Sequence, residues 1–183
     1  LIYVSYLDPV QVFSNKANLN AIDDFKGLRV LSQSPMVTKI FKDLGCAPDA
    51  SIPQTEQYMA LKRGVSDATL TSIVGGYFQK TFEVAPKITK INLSFPTIFV
   101  AMNLKKWEKL PKEAQDAMIA AGKKQSAITL AMAKGWMAKF EGALAQGGAS
   151  LTEFPAEERA KVASVAKKTW DEWAKKNGPD AQR

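Results

Sequence analysis

Apolar residues fall into short blocks over the first hundred positions and into long periodic runs afterwards. Residues 1–7 are apolar and aromatic and stop at Asp8 and Pro9, which predicts a strand followed by a turn. Residues 11–24 are polar and asparagine-rich and read as a surface loop. Lys26 and Gly27 then launch residues 28–31, a short buried strand. Ser32 and Ser34 precede Pro35, so a hydroxyl cap and a proline in the first turn predict a helix. Met36, Val37, Ile40, Phe41 and Leu44 recur at helical spacing, and Gly45 stops the run. An extended piece at 50–52 leads to Pro53. Thr55 is placed to cap a helix carrying Tyr58, Met59 and Leu61, closed by Gly64. Residues 65–70 read as a strand and Thr71 or Ser72 as the start of a helix reaching Phe82. Residues 87–91 and 97–102 read as two more strands by their β-branched content. Strands alternating with helices argue an α/β fold.

Beyond Asn103 the pattern turns helical. Pro111 opens a helix whose apolar positions continue to about Leu144, with Gly122 and Gly135 as expected bends. Gly147 and Gly148 end it, residues 150–154 form a short strand, and Pro155 opens a last amphipathic helix. There Val162, Val165, Ala166, Trp170 and Trp173 make one stripe, and the two tryptophans read as core anchors.

Charge and composition narrow the chemistry. Hydrophobic residues make up 46% of the 183 positions and charged residues 23%, enough apolar matter for a core. No run approaches the roughly 18 apolar residues that span a bilayer. The net charge of +7 suggests an anionic partner, but the lysines are spread along the chain and interleaved with acids. Lys105, Lys106, Lys109 and Lys112 alternate with Glu108, Glu113 and Asp116, a solvated face rather than a nucleic-acid stripe. The chain has no histidine, which removes His-based acid–base catalysis, Ser–His and Cys–His pairs and His-containing metal sites. Cys46 is its one cysteine, so neither an internal disulfide nor a thiolate zinc site is expected. Gly75 and Gly76 lack the spacing of a phosphate loop. Asp67, between a helix stop and a strand, reads as a turn or cap residue. No catalytic residue, metal or cofactor is expected. The opening at mid-strand reads as part of a longer protein.

Several segments carry a resemblance. Asp24-Phe25-Lys26-Gly27-Leu28-Arg29-Val30 resembles the "DLKGLKIRV" signature of the substrate-binding proteins of TRAP transporters, the DctP-type family. Residues 39–48, ending Leu44-Gly45-Cys46-Ala47-Pro48, are similar to its "ALGANP" helix end, and residues 55–67 to its "SEVYTALQTGVVDG". Phe82-Glu83-Val84-Ala85 resembles "FYEVAKY", residues 102–111 resemble "MNKKAWDKLP", and the tail around Trp170 and Trp173 also fits. The motifs cover nearly the whole chain in order. The resemblance implies a periplasmic-binding-protein-like clamshell of type II, two α/β lobes closing on a ligand. Residues 1–27 would then enter the second lobe from the hinge, and 28–95 form its core. Residues 96–147 would hold the return strand, a first-lobe helix and the long connecting helix, and 148–183 would pack back on the second lobe. Most of the first lobe would lie outside this chain.

The resemblance also places a ligand site. Most members hold the ligand carboxylate with an arginine at the end of the "KIRV" strand, a position that is Leu31 here. A second arginine position falls at Gln11, an asparagine position at Thr71 and an aromatic one at Gln54, while Phe95 matches a cleft-lining position. Arg29 occupies the usual lysine position. With Leu31 in place of a guanidinium, the expected ligand is neutral or aromatic-bearing, or an acid anchored elsewhere. The implied role is periplasmic capture of a small organic solute for the membrane subunits of a TRAP transporter, without nucleic-acid binding or membrane insertion. Two rivals stand beside it. An α/β enzyme on a related scaffold would use an acid such as Asp67 in a pocket, and a basic helical interaction module would show lysines unbroken by acids.

Overall fold

A computed structural model describes residues 1–178 of the chain. Six strands form one sheet: β2 (Val10–Ser14), β3 (Arg29–Leu31), β4 (Ala47–Asp49), β5 (Ala68–Ser72), β6 (Lys87–Lys90) and β8 (Ser150–Glu153), in the order β4-β3-β5-β2-β6-β8. β1 (Tyr3–Tyr6) and β7 (Thr97–Val100) form a separate antiparallel ribbon. The helices are α1 (Pro35–Asp43), α2 (Gln57–Lys62), α3 (Ile73–Phe78), α4 (Leu104–Trp107), α5 (Lys112–Gln146) and α6 (Ala156–Asn177). Within the six-stranded sheet β2 runs against both neighbours, and the other five strands share one direction.

Successive side chains of a strand point to opposite faces, so an apolar pair in sequence supplies both layers of a core. Val12, Val30, Ala68 and Leu70 face one side and pack with Ile40 and Phe41 of α1 and Val162 and Ala166 of α6. Phe13, Leu31 and Ile88 face the other, against Leu61 of α2, Ile73 of α3 and Leu144 of α5. α1 begins as its sequence implies, with Pro35 in the first turn and the Ser34 hydroxyl accepting from the Val37 N–H. α2 differs from expectation. One 3-10 turn (Gln54–Glu56) precedes it, and Thr55 makes no capping bond.

The larger correction is β2. Residues 11–24 read as a loop, yet Val10–Ser14 is an interior strand of the sheet, and the loop starts at Asn15. Polarity hid it, because Gln11 and Ser14 are buried with partners rather than solvated. The Gln11 carboxamide donates to the Pro9 carbonyl (3.1 Å) and to Asn92 Oδ1 (2.8 Å), and its oxygen accepts from the Asn92 N–H (2.9 Å). These bonds sit where β1 runs into β2 and β6 runs out toward β7. Val10 N–H donates to Ser94, Leu93 N–H to Val10 and Leu7 N–H to Pro96 across the same crossing. The buried Asp8 carboxylate accepts from the Val74 N–H in the first turn of α3, tying the crossing to that helix.

At the opposite edge, Asp67 is neither a plain turn residue nor a pocket acid. Its carboxylate takes the Arg29 Nε–H (2.9 Å), Nη2–H (2.6 Å) and backbone N–H (3.1 Å), while Asp67 N–H donates to the Arg29 carbonyl. The guanidinium holds this carboxyl below its ordinary range, overcoming the opposing effect of burial.

α5 is continuous over 35 residues and runs through Gly122 and Gly135 without ending at either. Gly122 serves close packing instead: a Cβ there would lie 2.1 Å from the Ile2 carbonyl oxygen, and one turn on Ser126 Oγ donates to the Val4 carbonyl at 2.8 Å. The far end of the helix packs Leu144 into the sheet's second face. α6 buries Glu158, Val162, Ala166 and Thr169. Trp170 and Trp173 stay about half exposed (48% each), correcting their reading as core anchors; Trp170 lies one position, or roughly 100° of helical turn, beyond Thr169. Exposed lysines pair within helices, as in Lys39–Asp43, Lys112–Asp116 and Lys167–Asp171. Among the described residues no helix is long and apolar enough to cross a membrane.

Two outcomes follow for stability. Gln11→Leu leaves the Asn92 N–H and the Pro9 carbonyl without their partner and should cost about 2 kcal/mol in urea unfolding. Asp67→Asn should cost about 2 kcal/mol at neutral pH by removing the charge opposite Arg29. Because folding lowers the Asp67 pKa, its contribution is present above the unfolded carboxyl's titration near about pH 4 and is lost as pH falls through the folded value. Urea unfolding of both proteins at neutral pH and at about pH 3 should therefore show the gap closing in acid.

Candidate ligand-binding site

Strand order decides where a crevice opens. From β3 the chain passes through α1 outward to β4, and from β4 it returns through α2 across β3 to β5. A right-handed crossover in each direction puts the two helices on opposite faces of the sheet, as the two core layers show. The connections after β3 and β4 therefore diverge at the carboxyl ends of their strands, the place where open α/β sheets hold ligands. A cavity of about 890 Å³ lies there, lined by Ser32, Ser34, Thr38 and Lys42 from one side and Gln54 and Gln57 from the other. β2 enters and β6 leaves at this same edge, so the crossing toward the β1–β7 ribbon borders it.

The hydrogen atoms at the crevice can be assigned by elimination. Thr38 Oγ1 donates to the Ser34 carbonyl (2.9 Å), so in its 2.6 Å contact with Ser32 the donor is the Ser32 hydroxyl. Ser34 Oγ accepts from the Val37 N–H (3.2 Å), which leaves its own proton free. Gln57 is buried (6% exposed), and its Oε1 accepts from Thr69 Oγ1 at 2.9 Å. Its Nε2 makes no hydrogen bond to another described residue. Lys39 is held by Asp43 and Glu172. Lys42 has no carboxylate within ion-pair distance among the described residues. The crevice thus presents donors and positive charge.

The five residues implied by the resemblance all lie toward this edge and divide into two sets. Gln54 lines the crevice, Thr71 stands at the carboxyl end of β5, and Phe95 is exposed in the segment leading from β6 to β7. Gln11, the register partner of Thr71, is wholly enclosed and its amide is occupied at the crossing. Leu31 is also fully enclosed, against Phe13, Leu61 and Ile73. Arg29 points to Asp67 at the other end of the strand. Gln57 was missed by sequence reasoning. Its helical position resembles any polar surface residue, and only the Thr69 partner on a distant strand marks it. Ser32 and Ser34 were legible as caps, not as crevice walls.

Cys46 is buried, its thiol donates to the Phe25 carbonyl at 3.1 Å, and burial pushes its pKa up to about 12. It carries no thiolate at neutral pH.

Comparison with known proteins agrees with this geometry. Residues 6–177 match the DctP family model, described as bacterial extracellular solute-binding protein, family 7. A solute-binding protein of Albidiferax ferrireducens is 27% identical over 159 residues, covering 85% of this chain and 47% of its own. The C4-dicarboxylate-binding periplasmic protein of Rhodobacter capsulatus is 28% identical over 172 residues, covering 93% and 51%. The chain thus spans about half the length of these relatives. Among solved structures, DctP6 of Bordetella pertussis, an extracytoplasmic solute receptor binding pyroglutamic acid, superposes with a TM-score of 0.89 at 27% identity. That match takes in 100% of this chain and 60% of the receptor. A TRAP periplasmic solute-binding protein of Haemophilus influenzae with bound L-gulonate gives 0.86 at 25% identity, over 96% and 58%. These relatives are solute receptors rather than enzymes. By sequence and by fold the chain belongs to the DctP family of bacterial extracellular solute-binding proteins, with the α/β fold and periplasmic location of that family.

Proposed function

We propose that the protein is a periplasmic receptor that captures a small organic acid and delivers it to the membrane subunits of a TRAP transporter, without chemical conversion of the ligand. The observation that carries this reading is the donor-lined crevice at the carboxyl edge, on the border where β2 and β6 leave for the β1–β7 ribbon. A ligand seated there can also be touched by whatever the ribbon carries. Contacts available only when both sides meet would favour the closed form.

Residues 28–95 and 148–178 then form one lobe. The ribbon, α4 and the first half of α5 belong to the other, with α5 as the rigid strut between them. The exposed Ile98, Phe99 and Val100 of β7 fit that division, since a ribbon of two strands leaves apolar side chains for further structure to cover.

Ligands of similar proteins support the acid class. Besides pyroglutamic acid and L-gulonate, TRAP solute-binding proteins of this fold hold orotic acid in Desulfovibrio salexigens, succinate in Shewanella oneidensis and malonate in Rhodoferax ferrireducens. Each carries a carboxyl group. Exposed Phe95 beside the crossing gives a flat ring-bearing acid a surface to stack on.

Isothermal titration of the protein against pyroglutamate, gulonate, orotate, succinate and malonate tests this. Saturable heat with one or more members, and a raised melting temperature with the same members, is the expected outcome. Heat from none of the five, with an unmoved melting temperature throughout, would overturn the receptor reading.

A further inference from the structure

We infer that the α1–α2 crevice recognises a carboxylate oxygen through neutral donors, with the Gln57 side-chain N–H as the residue that decides which acids fit. The inference rests on the receptor reading above and adds the identity of the recognising group.

Among the described residues no guanidinium group lines the crevice. Arg29 is committed to Asp67 at the amino ends of the strands, and Arg159 Nη2 donates to the carbonyls of Lys90 and Phe154. Arg63, at the end of α2, does not line the crevice. What faces the cavity instead is a carboxamide fixed in one orientation. Thr69 Oγ1 donates to Gln57 Oε1, so the oxygen is engaged and the nitrogen is left to meet a ligand in the cavity that Gln57 lines. Gln57 is more than nine-tenths buried, and its Nε2 finds no acceptor among the described residues. That nitrogen keeps some solvent access, and a ligand oxygen placed there gives it a fixed acceptor in place of bulk water.

Three further groups point the same way. The Ser34 proton is free because its oxygen already accepts from Val37. The first turn of α1, a helix of nine residues, adds the positive end of its dipole beside that hydroxyl. Lys42 supplies charge at the rim. The Ser32 hydroxyl is the contrasting element: its proton goes to Thr38, so it meets the ligand as an acceptor. The crevice therefore suits an acid bearing a hydroxyl or N–H close to its carboxylate. It disfavours a ligand that brings only donors to Gln57.

The test uses the panel acid that binds the protein most tightly. Gln57→Met keeps the volume and removes the donor, and should weaken binding about 10- to 100-fold. Gln57→Glu, which turns a second acceptor toward the ligand, should weaken it at least as much. Thr69→Val frees the carboxamide to rotate and should cost about 3- to 10-fold, with no further loss when added to Gln57→Met. Should Gln57→Met fail to fold, the side-chain amide resonance of Gln57 in the wild-type protein decides, and it should move on adding the acid. Unchanged affinity in Gln57→Met, or a Gln57 amide resonance unmoved at saturation, overturns the inference while leaving the receptor reading intact. Absence of binding by the wild-type protein to every panel acid overturns both.

Discussion

The structure depends on one topological constraint: the chain leaves the six-stranded sheet twice, side by side, through β2 and β6 at the same edge. β2 runs against its neighbours because it enters from that edge, while the strands around it end there. Every backbone group at the crossing must be satisfied without a continuing ladder. Gln11 does this by reaching both Pro9 and Asn92, and Asp8 does it by meeting the first turn of α3. The crossing therefore has a fixed geometry relative to α3 and to the ends of β3 and β5. A crevice at those ends inherits that geometry, and so does anything attached through the β1–β7 ribbon.

The two edges of the sheet divide the labour by charge. At the amino edge Arg29 and Asp67 exchange side-chain and backbone bonds that lock β3 to the start of β5. At the carboxyl edge, beside Lys42, the crevice is lined by the hydroxyls of Ser32, Ser34 and Thr38 and the carboxamides of Gln54 and Gln57. Neutral groups of this kind can be buried at modest cost, and they bind oxygen with direction rather than with net charge. Lys90 ties the long helix to the sheet from the side, joining Glu141 of α5 to Glu153 of β8.

Most of the fold was legible because local chemistry and tertiary role agree. Pro35 after Ser34, the spacing of Ile40 and Phe41, Ser72 before α3 and the proline before α6 each mark an element that forms where its residues imply. β2 was not legible, since a buried glutamine and serine look like a loop until Asn92, eighty-one residues away, is known to be their neighbour. Trp170 and Trp173 failed for the converse reason: helical spacing says which residues share a face, not whether a partner covers all of it. The site behaved like β2. Resemblance pointed to Gln54, Thr71 and Phe95, which the fold places toward one edge of the sheet. Gln57 was visible only after Thr69 was brought against it.

Leu31 gives β3 an apolar end. Its neighbours Phe13, Leu61 and Ile73 enclose it completely, so a guanidinium in this place would have to lose its hydration against three apolar side chains. Its register partner on β5 is Thr69, which holds Gln57. On the proposed reading, the polar group of this layer is the neutral Gln57 carboxamide, one strand and one helix away from Leu31, where the resemblance implies an arginine position. A guanidinium attracts any carboxylate over several ångströms, whereas a fixed carboxamide N–H rewards only an oxygen placed within about 3 Å and in line with it. Selectivity in this lobe should therefore follow the shape of the acid more closely than its charge.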